Sequence, residues 1–221
     1  MADEHRLMVS RGARYFTLGS PTSARDVWIV LHGYGQLADV FVRYFADLDD
    51  GTRYVVAPEA LNHFYMVDPR RAPAPDRPVG ATWMTRVGRE QEIRDYVAYL
   101  DQLHDEVVRG SASVHVIGFS QGAATASRWA AMGRSRIDRL ILWGGLTPPD
   151  LDVAAAAETL NASRLTIVVG EEDEYVSRAA VDAEHTRLSA AGVRAEFRSF
   201  AGGHAINRDV LRGLVEPVES S

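Results

Sequence analysis

Short apolar runs alternate with longer amphipathic stretches along this chain, a pattern that predicts an α/β fold with a mostly parallel central sheet. Asp26–Leu31 (DVWIVL) reads as a buried strand that stops at His32-Gly33. Leu37–Leu48 predicts a helix with Val40, Phe41, Tyr44, Phe45 and Leu48 on one side. Arg53–Ala57 is the next strand, ended by Pro58, and Gly88 to Arg109 holds a long helix with Ile93, Val97, Leu100 and Leu103 near helical spacing. Ser113–Phe119 predicts a strand and Gln121–Met132 an alanine-rich helix. Strands follow at Ile137–Trp143 and Arg164–Val169, then a helix over Ser177–Ala191 closed by Gly192. Val193–Phe200 alternates as a strand and Ala205–Leu214 forms a last helix; Arg14–Leu18 adds an edge strand, and Ala154–Ala157 reads as helical. Repeated strand–helix units of this kind place helices on both faces of the sheet.

Pro58 to Met84 is the one irregular stretch, and it carries Pro58, Pro69, Pro73, Pro75 and Pro78. So long a connection is uncommon inside a compact domain, so residues 59–84 are expected to form a lid or a pocket rim. No internal repeat or linker divides the 221 residues, which are expected to form one domain.

Composition narrows the chemistry. With 46% hydrophobic and 24% charged residues the chain is globular rather than disordered or fibrous. It has no cysteine, which excludes disulfides, a thiol nucleophile and cysteine-held zinc or iron–sulfur sites. All 24 basic residues are arginine, which excludes a P-loop lysine, Schiff bases and Ser–Lys dyads. A net charge of −6 argues against a nucleic-acid partner. No apolar run approaches the roughly 20 residues that span a bilayer. The start, Met1 to Arg6, is polar and acidic and lacks the apolar core of a secretory signal, so a cytoplasmic protein is expected. A chain whose signal peptide had been removed would look the same.

Gly118-Phe119-Ser120-Gln121-Gly122 matches G-x-S-x-G and lies between an apolar strand and a helix, where a nucleophile elbow needs it. A sharp turn there lifts the Ser120 hydroxyl above the sheet, and the following helix points its N-terminal dipole at developing negative charge. A plain strand–helix turn would leave the same short pattern, so the partners decide. Serine is a poor nucleophile until a base takes its proton, so a histidine and an orienting acid should follow in the order Ser, Asp, His. Arg164–Val169 is followed by Gly170-Glu171-Glu172-Asp173-Glu174, and Val193–Phe200 by Ala201-Gly202-Gly203-His204. Asp173 is the chosen acid, its short side chain suiting a fixed bond to His204 Nδ1, and Glu172 is its competitor. Leu31-His32-Gly33-Tyr34-Gly35 follows the first clear strand; its glycines free the backbone to aim the Tyr34 N–H at a substrate carbonyl, with the Gln121 N–H as the second oxyanion donor. His32 is expected to bond backbone locally, His115 to be a satisfied core histidine, and His104 and His185 to sit on exposed helix faces.

These stations together resemble the phospholipase/carboxylesterase group of α/β-hydrolases, which includes bacterial carboxylesterases and acyl-protein thioesterases. The resemblance rests on LHGYG at Leu31–Gly35, GFSQG at Gly118–Gly122, G-x-x-D-x-x-V at Gly170–Val176 and GGH at Gly202–His204. It departs at Ala123, where a second glycine is usual, and at Gly144, where Ser-Gly is common. The resemblance implies an α/β-hydrolase fold with Ser120, Asp173 and His204 as triad and Tyr34 and Gln121 as oxyanion positions. It also implies a compact serine esterase that needs no metal or cofactor and is often a homodimer.

The expected activity is a serine carboxylesterase acting on small to medium acyl or aryl esters through an acyl-enzyme on Ser120. Phe64, Tyr65, Met66, Trp83, Met84 and Leu146 are candidates for an apolar substrate rim, and equally for plain core. The same machinery would serve thioesters, lysophospholipids or lactones. A non-catalytic ligand-binding relative is the alternative from another class, although such proteins usually lose the serine or histidine.

Overall fold

The computed structural model describes residues 2–66 and 77–215. Its centre is a seven-stranded sheet built from β1 (Tyr15–Leu18), β2 (Asp26–Leu31), β3 (Arg53–Pro58), β6 (Ser113–Phe119), β7 (Arg139–Trp143), β8 (Thr166–Gly170) and β9 (Glu196–Phe200). The strand order is β1-β3-β2-β6-β7-β8-β9. Only β1 runs antiparallel, pairing Tyr15 with Pro58; every other neighbour pair is parallel.

The inner strands read as largely apolar runs because both their faces are covered, whereas β1 and β9 at the edges are partly exposed. In β2, Val27, Ile29 and Leu31 join one core and Trp28 and Val30 the other. The first core is closed by α2 (Arg89–Val107), α3 (Gln121–Met132), α4 (Ala157–Ala162) and α5 (Arg178–Ala190), which contribute Leu100, Trp129, Leu160 and Leu188. The second is closed by α1 (Ala38–Phe41), the 3₁₀ turn after it and α6 (Arg208–Val215), through Phe41, Phe45, Leu211 and Leu214. Each fully buried side chain of this size contributes about 1.5–3 kcal/mol of transfer free energy.

Three local expectations are corrected. The helix expected over Leu37–Leu48 is α-helical only to Phe41 and 3₁₀ from Val42 to Leu48. Val42, Phe45 and Leu48 are buried at a spacing of three, the 3₁₀ period, whereas Val40 and Tyr44 face solvent. The last helix begins at Arg208 rather than Ala205. The third correction concerns the expected irregular segment, which contains a two-stranded antiparallel hairpin of β4 (Asn62–Tyr65) and β5 (Val79–Thr82) with Phe64 opposite Gly80. Residues 67–76 of that segment lie outside the described residues.

Because β2 and β6 to β9 are parallel, all five end on one edge of the sheet, where ligands bind in open α/β sheets. The loops that leave this edge carry Tyr34, Ser120, Gly144, Asp173 and His204.

Candidate active site

Ser120 stands between the end of β6 and the first residue of α3 with φ 54° and ψ −115°. That conformation costs a non-glycine residue on the order of 1–3 kcal/mol and has to be held by its surroundings. One restraint is the Ser120 N–H, which donates to Trp143 O at 2.9 Å. The other is contact between backbones: a Cβ on Gly118 would lie 2.2 Å from Gly122 O, and one on Gly122 2.2 Å from Leu31 O. Only glycine at both positions lets the turn close against β2.

Asp173 follows β8. Its Oδ1 accepts the N–H groups of Tyr175 and Val176, each at 2.9 Å, and its Oδ2 accepts His204 Nδ1–H at 2.8 Å. The carboxylate is therefore fully bonded in one orientation, with no exposed side-chain surface. Glu172 is exposed and holds the loop through its backbone, its N–H donating to Gly202 O at 2.9 Å. Glu171 instead meets the Ser199 hydroxyl at 3.2 Å.

His204 lies between the rings of Phe119 and Tyr175, with centroids 4.9 and 4.7 Å away. Its loop is tied down by Trp143 Nε1, which donates to Ala205 O at 2.9 Å. With Nδ1 engaged by Asp173, the imidazole keeps Nε2 for another partner. Gly144 and Gly145 separate it from the elbow: a Cβ on Gly144 would lie 3.0 Å from His204 Cε1, and one on Gly145 2.8 Å from Ser120 O.

The second side of the site is the loop after β2. The Gly33 N–H donates to Gln36 Oε1 at 2.8 Å, the Gly35 N–H to Ala81 O at 2.9 Å and the Gln36 N–H to Gly33 O at 3.3 Å. Among the described residues this leaves the Tyr34 N–H without a protein acceptor. Gln121 opens α3, and the first N–H groups of a helix have no intrahelical acceptor. Two free backbone donors thus flank Ser120.

The hairpin braces both of them, which the sequence did not disclose. Besides receiving the Gly35 N–H, Ala81 donates its N–H to Gln36 O at 3.3 Å. A Cβ on Gly80 would lie 2.6 Å from Gly35 O, so glycine is needed for this close approach. On the other side the Gln121 side chain accepts the Trp83 N–H at 3.1 Å and donates to Met84 O at 2.9 Å. The strand β5 and its continuation therefore span from one donor loop to the other.

Of the expected rim residues, Tyr65 and Met66 are exposed, Phe64 stacks on the exposed Tyr34 ring at 5.0 Å, and Met84 and Leu146 are half-buried. Trp83 is different. It is 2% exposed, and its indole N–H donates to His32 O at 2.8 Å, which makes it a support beneath the loop rather than a surface for substrate.

The other histidines are accounted for locally. His32 is fully buried, donates Nδ1–H to Gly33 O at 2.7 Å and accepts the Ala60 N–H on Nε2 at 3.0 Å. Both nitrogens are used, and burial pushes its pKa down, so it stays neutral. His115 bonds Asp26, His63 bonds Glu59, and His104 is half-buried rather than exposed. Among the described residues no group of three histidine or carboxylate side chains could hold a metal ion. No helix among them is long and apolar enough to cross a membrane.

The serine hydrolase (FSH1) family matches residues 25–209, from just before β2 into α6. The chain belongs to that family. As a serine hydrolase it is an enzyme of the α/β-hydrolase group that its motifs resemble. No curated protein is similar enough in sequence to count as a match. Among solved structures, a carboxylesterase from Mesorhizobium loti is similar with a TM-score of 0.70 at 20% identity, over 95% of this chain and 97% of that one. Acyl-protein thioesterase 2 of Zea mays is similar with a TM-score of 0.68 at 16% identity, over 92% and 96%. The esterase PE8 is similar with a TM-score of 0.63 at 23% identity, over 91% and 95%. At these identities the structural likeness establishes the fold.

Proposed function

We propose that this serine hydrolase is a carboxylesterase that forms an acyl-enzyme on Ser120, with His204 as base, Asp173 as its orienting acid, and the Tyr34 and Gln121 N–H groups as oxyanion donors. The observation that carries the reading is the 2.8 Å bond from His204 Nδ1 to a buried, fully bonded Asp173, across Gly144-Gly145 from a serine in a strained turn. His204 Nε2 takes the Ser120 proton as Oγ attacks the ester carbonyl, and the two N–H groups stabilise the oxyanion by about 3 kcal/mol each. The imidazolium then protonates the leaving alcohol, and the neutral ring activates water to release the acid. Asp173 fixes the tautomer that leaves Nε2 free for both steps.

The open rim of Tyr34, Phe64, Tyr65 and Met66 beside these donors suits an acyl chain or aryl group better than a sugar or polyanion. A fluorophosphonate probe should add one mass increment, on Ser120, and p-nitrophenyl esters should be turned over in the presence of EDTA. Labelling of a different serine would overturn the assignment. Parallel assays of acyl p-nitrophenyl esters and acyl thioesters of equal chain length would establish whether oxygen or sulfur is the preferred leaving atom.

A further inference from the structure

A second concave site lies on the opposite edge of the sheet, where β7, β8 and β9 begin at Arg139, Thr166 and Glu196. Ser120 follows the far end of β6, whose seven residues at about 3.3 Å each put roughly 20 Å between the two edges. A cavity of about 840 Å³ opens there, within the size range of small-molecule sites. Its wall carries Arg139, Arg164, Arg194 and His185, and one carboxylate, Glu196.

That carboxylate is already taken, because Arg198 bridges Glu196 at 2.6 Å. Among the described residues none of the three lining arginines has a carboxylate within ion-pair distance. Arg139 donates to the backbone oxygen of Leu214 and Arg164 Nε to that of Asp138, while the Arg194 side chain has no protein partner among the described residues. Burial, and then the like charge of Arg164, push the Arg139 guanidinium down from its usual pKa. Uncompensated positive charge in a chain of net charge −6 is a local construction rather than a general property of the surface. Asn161, Thr166 and Ser189 add neutral polar groups, and the apolar part of the wall is Leu165, Leu188, Val193 and Phe197, with the His185 ring edge-on to Phe197 at 5.1 Å.

We propose that this cavity binds an organic carboxylate, its head held by Arg139, Arg164 and Arg194 and its apolar body laid along Phe197 and His185. Guanidinium groups form charge-assisted, forked hydrogen bonds to carboxylates, and the apolar wall favours an anion with a hydrocarbon part over a bare inorganic one. The inference does not depend on the reaction at Ser120.

The test is calorimetric titration of the full chain with octanoate, benzoate and inorganic phosphate, in wild type and in Arg194→Gln and Arg164→Gln. Unliganded melting temperatures check that the variants fold, and Arg194→Gln removes no side-chain hydrogen bond or ion pair among the described residues. Octanoate or benzoate should bind wild type more tightly than phosphate, and either substitution should weaken that binding at least about tenfold. Raising salt to about 0.5 M should weaken it as well. Ser120→Ala should bind both carboxylates as wild type does. The proposal is overturned by absence of carboxylate binding, by affinity that both arginine variants retain, or by phosphate binding as tightly as the organic anions.

Discussion

His204 and His115 each give a ring N–H to an aspartate, at 2.8 Å to Asp173 and at 3.1 Å to Asp26. The two pairs differ in which nitrogen is committed and in what surrounds the ring. His204 is bonded through Nδ1 on a loop at the edge where the parallel strands end, the edge that also carries Ser120, and its Nε2 is uncommitted among the described residues. His115 is bonded through Nε2 inside β6, lies flat on Trp28 at 4.4 Å, and its buried Nδ1 has no partner among the described residues. Burial lowers the His115 pKa despite the Asp26 bond. A histidine–carboxylate pair is thus only half of a base. The free nitrogen must also meet something that has a proton to give.

Removing the nucleophile or the base should have the largest effect on this contrast. Ser120→Ala and His204→Ala should each lower kcat by at least about 10³-fold and by up to about 10⁶-fold. His115→Gln should stay within a few-fold. An equal loss in His115→Gln, with the fold intact by circular dichroism, would break the comparison.

The acids come next. Asp173→Asn should cost on the order of 10⁴-fold in kcat, because an amide at Oδ2 favours the wrong His204 tautomer. Asp26→Asn and Glu172→Gln should remain within a few-fold of wild type. If Glu172→Gln were the inactive variant, the acid would be one residue earlier than assigned.

Positioning can be tested without touching the triad. Gly80→Ala places a methyl group against Gly35 O and should push the Tyr34 loop away, lowering kcat by about 10²-fold through the loss of one oxyanion donor. A KM that rises while kcat holds would show that the hairpin contacts substrate instead.

Smallest is the effect of pH on stability. His115 and His32 have depressed folded pKa values, whereas the unfolded imidazole titrates near its usual 6.5. Below about pH 6.5 the unfolded chain therefore binds more protons than the folded one, so stability present above that pH is lost as pH falls through the folded pKa values. The melting temperature should drop between pH 7 and 5, by about 2–4 °C for each kcal/mol lost. In His115→Gln the drop should be shallower; an unchanged profile would remove His115 from that account.

Much of this arrangement is legible from sequence because parallel strands buried on both faces leave plain apolar runs. Val27 to Leu31 is unbroken and Val114 to Phe119 is interrupted only by His115 and Gly118, and the Ser, Asp and His stations follow their own strands in order. The hairpin is not legible. Asn62–Tyr65 and Val79–Thr82 are four residues each, too short for a period of two to stand out, and β4 is half-exposed. Its bonds to the Tyr34 loop are backbone to backbone, and sequence carries no mark of those beyond Gly80. The sequence leaves the role of Trp83 open between rim and core, since an indole in an irregular stretch suits either until the His32 carbonyl that receives it is known. The 3₁₀ turn did leave a trace, in the three-residue spacing of Val42, Phe45 and Leu48.

Gly118 and Gly122 have a consequence for how relatives of this chain should be interpreted. The atoms nearest a side chain at either position are main-chain atoms of the turn itself and of Leu31 and His32, not Ser120 Oγ. A descendant that lost the hydroxyl and its chemistry would still need both residues in order to fold. The pair records descent from this architecture, then, and would persist in an inert paralogue as faithfully as in an active one. Counting such descendants as enzymes requires the serine, the histidine and the acid together, read one chain at a time.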